Sequence, residues 1–237
     1  MCGVTDMASA ILPAPGLEAR RRTTSDYVAE ALRDAISSGR LEDGAVLNQV
    51  HIAEQLGVSR VPVREAMRML EAEGLIDASA HRSPTVRALS RARIDELLEL
   101  RALLEGHLTA AATPNADAAT LARLTQINGE MKKTTDSAAW IELNREFHTT
   151  LTAVARRPET LEVLDGVRLR AERYVQATTS ELSPARIKAV TREHAAIIKA
   201  VKAGDPDAAR TAAVEHVQST MRFLDEQHVA AARAAQQ

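Results

Sequence analysis

A mainly α fold in two parts is what this 237-residue sequence predicts. Three observations carry that prediction. The composition is helical: Ala, Leu, Glu and Arg dominate, while Val and Ile are scattered instead of gathered into strands. From Thr23 onward apolar residues recur at three- and four-residue steps, interrupted at Gly and Pro. The helical period lapses once over a longer stretch, between Gly74 and Ser90, where short extended runs replace it. The length suits one or two domains, each able to bury a core of its own.

Four segments follow in chain order. Residues 1–22 carry Pro13, Pro15, Gly16 and the run Arg20-Arg21-Arg22 without any period, and read as a flexible arm. That arm either touches phosphates or is an extension preceding a true start at Met7. Residues 23–90 form a first domain, residues 91–230 a second, and residues 231–237 a frayed tail. Within the first domain Tyr27, Val28, Ala31, Leu32, Ala35 and Ile36 make an apolar stripe, and Gly39 closes that helix. Leu41–Leu47 reads as a turn and an extended pair. Two short helices then meet at Gly57, with Ile52, Ala53 and Leu56 inward on one and Val63, Ala66, Met67 and Leu70 inward on the other. Gly57 suits a left-handed corner. Ser59 is placed to cap the second helix, and Pro62 sits in its first turn, where the missing N–H costs nothing. Leu75–Ser79 and Thr85–Ala88 flank His81-Arg82-Ser83-Pro84 as a small hairpin with a basic tip. Three helices and a hairpin make a winged helix-turn-helix. From Ile94 to about Ala232 the chain is helical, broken at Thr113-Pro114-Asn115, Thr134–Ser137, Arg157-Pro158, Leu182-Ser183-Pro184 and Gly204-Asp205-Pro206. About six helices result, which predicts an antiparallel all-α bundle.

Several classes are excluded. No stretch approaches the ~20 apolar residues that span a bilayer, so no membrane partner is expected. The opening residues are no secretory signal, because their arginines follow the weakly apolar part and prolines break it. The single cysteine, Cys2, permits no internal disulfide and fits a reducing, cytoplasmic setting. A net charge of −2 gives no global attraction to nucleic acid, so any such contact needs a local basic patch.

That patch is present. Arg60, Arg64 and Arg68 repeat every four residues on one face of the second short helix. A braced helix with an arginine face fits the major groove, where Arg donates two parallel bonds to guanine O6 and N7. Arg60 and Arg64, near the helix start, are the expected base readers. Ser59 and nearby backbone N–H groups suit phosphates. His81 and Arg82 at the wing tip can reach the adjacent minor groove or backbone. The string from Gly57 to Leu75, with Ser59, Arg60, Val61, Pro62 and Arg64 at its start, resembles the DNA-binding core of GntR-family transcription regulators. That resemblance implies that Ser59, Arg60, Val61, Pro62, Arg64, His81 and Arg82 meet operator DNA. Ser83 departs from the wing-tip Gly of many members, which bears on wing geometry and not on the fold.

In the second domain Asn144 and His148, four apart, share a helix face. His194 and His216 lie about three helical turns to either side of the Gly204-Asp205-Pro206 turn, so antiparallel neighbours can bring them level. Imidazole suits Zn, Ni, Cu or Fe, and an amide oxygen is a tolerable weak ligand. Spacing alone leaves convergence open, since His107 and His228 show histidine used elsewhere. Asn144-Arg-Glu-Phe-His148, Glu193-His194, Asp205, Ala208 and His216, with Leu100-Arg101-Ala-Leu-Leu-Glu105, resemble the FCD ligand-binding domain of the FadR subfamily. The resemblance implies a divalent metal, zinc first and nickel, manganese or iron as alternatives, held by His148, His194 and His216, with Asn144 where metal-binding members carry Asp. An Asn there removes one negative charge, which favours an anionic effector completing the shell: a small carboxylate metabolite. Arg101 is either a second anchor for that effector or the ion-pair partner of Glu105. Trp140 and Phe147 read as core and not as pocket walls.

The expected function is sequence-specific transcriptional regulation by a metabolite-responsive repressor, a homodimer on near-palindromic double-stranded DNA. Two alternatives stand beside it. One is a metal-dependent helical-bundle enzyme acting on a small organic acid; the other is a DNA-binding protein with a purely structural metal site. Glu146 and Glu193 flank ligand candidates, but neighbours on a helix point about 100° apart. There is no His-Glu-x-x-His string, glycine-rich phosphate loop or nucleophile elbow, so no catalytic residue is assigned.

Overall fold

A computed structural model describes residues 23–78, 83–179 and 183–234. The arm (1–22), His81 and Arg82 therefore lie outside the described residues. The chain divides into two compact units at Arg91/Ala92.

In the first unit, Thr23 opens helix α1 (Thr24–Ser37) with a reciprocal cap. The Asp26 N–H donates to Thr23 Oγ1 at 3.1 Å, and the Thr23 N–H donates to Asp26 Oδ2 at 3.0 Å. Asn48 caps α2 (Gln49–Leu56), accepting from the N–H groups of Val50 and His51. Gly57 turns the chain at φ 64°, the left-handed conformation in which a Cβ would be strained. Helix α3 (Arg60–Ala72) follows. Val28, Leu32, Ala35 and Ile36 of α1 join Val63, Ala66, Met67 and Leu70 of α3 and Ile52 of α2 in the core. Each large aliphatic so buried contributes about 1.5–3 kcal/mol. Arg33 grips Glu73, just past α3, with two bonds of 2.7 and 2.6 Å, fixing α1 against that end.

The wing is shorter in strand and broader in pairing than the sequence suggests. Strand β1 (Ile76–Asp77) pairs antiparallel with β2 (Thr85–Val86), Ile76 opposite Val86. On the other edge of β2, Val46 bridges Thr85, and the Leu47 N–H donates to Pro84 O at 2.7 Å. The extended pair near Leu47 is thus a third rung of the wing.

The second unit is a helical bundle. It comprises α4 (Arg91–Ala112), a 3-10 turn (Thr113–Asn115), α5 (Ala118–Met131), α6 (Ser137–Ala153), α7 (Pro158–Thr179), α8 (Pro184–Lys202) and α9 (Pro206–Ala234). The breaks fall where Pro, Gly and capping residues stand. Asp117, Asp136 and Ser183 cap α5, α6 and α8 through their side-chain oxygens, and Asp205 accepts from the N–H groups at the start of α9. Helix α9 continues to Ala234, past the expected domain end at 230. Leu108, Leu124, Ile127, Phe147, Leu164, Val190 and Ile197 are central to the core. At Gly106 helix α4 comes close to α9: a Cβ there would lie 2.7 Å from Val214 Cγ2. Glu105, the residue before Gly106, is buried as well.

Candidate functional site

Helix α3 buries Val63, Ala66, Met67 and Leu70 and turns Arg60, Arg64 and Arg68 to solvent. The Arg64 and Arg68 side chains are 54% and 67% exposed, and both have Glu65 nearby, at 3.9 and 3.3 Å. Such exposed pairs are weak and salt-screened, so the guanidinium groups can exchange them for a nucleic acid. Val61 is 57% exposed in the first turn, an apolar group of the kind that meets a thymine methyl. Pro62 lies half-buried beside it. Ser59 has the extended backbone of an N-cap, but its hydroxyl makes no capping bond. The expected cap is therefore corrected: the orphan N–H groups of the first turn of α3 lack that side-chain acceptor, and they suit an anionic oxygen.

In the second unit the structure brings His148, His194 and His216 together, with one nitrogen from each within 4.8 Å of the others. The centroids of His194 and His216 are 4.8 Å apart, so the two arms around Gly204-Asp205-Pro206 do place them level. All three rings are buried. Asn144, one turn before His148 on α6, has a buried Oδ1 without a hydrogen-bond partner among the described residues.

Two carboxylates orient the rings. His148 Nδ1 lies 3.0 Å from Glu105 Oε2, and His216 Nδ1 lies 2.8 Å from Glu193 Oε2. Each carboxylate accepts, so each Nδ1 carries its ring's proton and each Nε2 is bare. Those two bare nitrogens face one another at 3.2 Å. A proton shared between them would need an imidazolium, which burial opposes: the pKa of His148 is pushed down to about 4 by loss of solvent, despite Glu105. Burial and its charged neighbours hold that of His194 well below the usual value as well. His194 stacks on Phe147, centroids 3.9 Å apart and planes within 4°, which fixes the ring by its face. Neither of its nitrogens has a hydrogen-bond partner among the described residues. Buried lone pairs left facing each other, with a neighbouring ring unsatisfied, are what a cation repairs. Carboxylate-oriented imidazoles are the usual outer support of such a centre.

Glu105 is the node that sequence reasoning underrated. Burial pushes its pKa up, but Arg101, His148 and Arg168 together hold it well below the usual carboxylate range. Arg101 Nε donates to its Oε1 at 2.8 Å and Arg168 Nε at 3.0 Å. Arg101 is therefore the ion-pair partner of Glu105 and also borders a cavity of about 240 Å³ that His148, alone of the three histidines, lines. Asn144, His148, Trp140 and Arg168 line the same cavity. Trp140 thus belongs both to the core and to a pocket wall, as Phe147 belongs both to the core and to the histidine cluster. Glu193, set aside because it points away from His194, serves His216 on the neighbouring helix, with Ser219 donating to its other oxygen at 2.7 Å. The signal for Glu105 was its place on the apolar stripe of Leu98, Ala102, Leu108 and Ala112.

Comparison with known proteins assigns both units. The family described as bacterial regulatory proteins, gntR family, matches residues 24–86, and the FCD domain matches residues 96–219. A probable D-xylose utilization operon transcriptional repressor of Paenarthrobacter nicotinovorans is 29% identical over 203 residues, covering 83% of this chain and 88% of that protein. The Nta operon transcriptional regulator of Aminobacter aminovorans is 31% identical over 144 residues, 59% of this chain and 69% of its own. Among solved structures, E. coli McbR/YncC matches with a TM-score of 0.77 at 25% identity, covering 87% of this chain and 99% of that one.

Proposed function

The chain belongs to the gntR family of bacterial regulatory proteins and carries an FCD domain, and we propose that it is a homodimeric, metabolite-responsive repressor whose second unit holds a divalent metal and a small carboxylate. Its matched relatives are transcription regulators and not enzymes, so the metal-dependent enzyme is set aside. Among the described residues no helix is long and apolar enough to cross a membrane.

On DNA, Arg60 and Arg64 read base edges in the major groove while Ser59, Val61 and Pro62 fit the first turn of α3 against backbone and bases. Two copies related by a two-fold axis set two such helices on half-sites about 34–36 Å apart, or a multiple of that. His81 and Arg82 take the flanking groove.

In the bundle, His148, His194 and His216 would hold the ion, with Asn144 as the fourth, uncharged donor. Zinc fits three neutral imidazoles best; nickel, manganese and iron are the alternatives. A bound divalent ion supplies a Lewis-acidic position to which an effector carboxylate attaches. Glu105 and Glu193 hold the His148 and His216 rings in the tautomer that leaves Nε2 free, and Arg101 and Arg168, both anchored on Glu105, bring guanidinium groups to the cavity. Asn in place of Asp leaves the centre one unit more positive, which raises its attraction for an anion. The observation that carries this reading is the pair of bare Nε2 atoms at 3.2 Å beside the unsatisfied ring of His194, at the edge of an arginine-bearing cavity. Linkage requires the effector to favour one DNA-binding geometry over the other.

The test is selection of binding sites from random duplexes, followed by anisotropy titrations with and without chelator and organic acids. A two-fold symmetric site, released by an acid only when metal is present, supports the reading. A metal that binds while no acid alters DNA affinity shows a structural staple instead.

A further inference from the structure

We propose that Trp140 and Arg168 are the residues that select the effector, and that the effector is a dicarboxylate of about four to six carbons. This rests on the carboxylate reading above and specifies it.

Two residues that line the cavity each carry a buried donor without a partner among the described residues: Trp140 Nε1 and Arg168 Nη2. Trp140 is 3% exposed, so its N–H is withdrawn from bulk solvent. The rest of the Arg168 guanidinium is engaged, Nε with Glu105 at 3.0 Å and Nη1 with Asp165 at 3.6 Å. Neither orphan can accept a hydrogen bond, so whatever satisfies them presents acceptors. Arg168 adds a charge and so prefers a carboxylate to a carbonyl.

The geometry of α6 sets the length. Trp140, Asn144 and His148 follow one another every four residues and all border the cavity. Each step is about 6 Å along the axis. Trp140 therefore lies just over two turns, about 12 Å along the axis, from His148, too far for one carboxylate to serve both ends. A second acidic group three to five bonds further along the molecule bridges that distance. The cavity, about 240 Å³, is below the ~300–1,000 Å³ of pockets for drug-sized ligands, which limits the carbon count. Its lining carries Arg101, Arg145 and Arg168 against Asp165 and Glu172, with Glu105 behind Arg101 and Arg168, so the wall is balanced in charge; a divalent ion would add two positive charges, suiting a dianion.

Trp140 is the chain's one tryptophan, so its emission reports on this wall alone. The purified protein is titrated with succinate, glutarate and adipate and with butyrate, valerate and hexanoate, by fluorescence and calorimetry. The expected result is a shift in emission and at least tenfold tighter binding for one dicarboxylate than for its monoacid. Trp140→Phe should remove at least tenfold of that preference while monoacid affinity stays within about twofold. Arg168→Gln should do the same; because Arg168 also holds Glu105, Trp140→Phe, which keeps the buried ring, is the decisive variant. Equal affinity for mono- and dicarboxylates, or a preference that survives Trp140→Phe, overturns this proposal and leaves the carboxylate reading intact. Binding of none of the six acids overturns the proposal; a response of DNA affinity to some other organic acid would still uphold the carboxylate reading.

Discussion

The arginines of α3 and the histidines of the bundle are two polar clusters built in opposite ways. Arg64 and Arg68 are more than half exposed and, among the described residues, share Glu65. His194 is fully buried, and Glu105, 3% exposed at its side chain, serves three partners at once. An exposed guanidinium stays hydrated and costs the fold almost nothing, so its energy is realised only when a partner arrives. A buried imidazole loses its solvent on folding and must be held neutral and oriented by neighbours. The first cluster can change at almost no cost to the fold; a change in the second draws on stability.

Substitutions should separate the two accordingly. Glu105→Leu removes the shared acceptor of Arg101, Arg168 and His148 and leaves buried positive charge unpaired. A loss of about 3–5 kcal/mol is expected in urea denaturation. A loss below about 1 kcal/mol would show that solvent already compensates those arginines. Acidification should act next. His148 is held neutral by burial, with its pKa down from 6.5 to about 4. Between those values the unfolded chain binds a proton that the folded one does not, so stability rises with pH across the window. Chelator-treated protein should therefore be most stable above pH 6.5 and weaken steadily toward pH 4; a flat profile would contradict the neutral, buried ring. Arg64→Ala should weaken operator binding by about 1–3 kcal/mol and relax base preference, with thermal stability unchanged. Unaltered base preference would remove Arg64 from the readers. Ser59→Ala should be the mildest: with no capping bond to lose, its effect on stability should stay under about 0.5 kcal/mol, against about 1 kcal/mol for a working N-cap. A full cap-sized loss would mean that the hydroxyl bonds the helix after all.

How much of this was legible in the sequence depends on distance along the chain. Gly57, Pro62 and the Arg60–Arg68 repeat act within a few residues of themselves, so helix, corner and exposed face could be read directly. The helix breaks at Pro114, Asp136, Pro158, Pro184 and Pro206 are local for the same reason. Asn144 and His148 share a face by spacing, and His194 and His216 are level by symmetry about one turn. What spacing does not contain is which faces meet across the bundle. Glu105 reaches His148 over 43 positions and Glu193 reaches His216 over 23, and neither pairing has a periodic trace. The wing shows the same limit: its two strands were visible, while the rung at Val46 depends on a loop folding back. Family resemblance supplied the histidine set; the carboxylates behind it and the unsatisfied donors of the cavity needed coordinates.

The central claim is that three imidazoles are arranged around a cation. The most direct measurement is elemental analysis of the purified protein, with calorimetric titration of zinc into chelator-treated wild type and His194→Ala. One divalent ion per chain, bound by the wild type and lost or weakened at least a hundredfold in His194→Ala while bulk DNA affinity persists, is the predicted result. A wild type that carries no metal and takes up none, or a variant that binds zinc as tightly as its parent, would contradict the account.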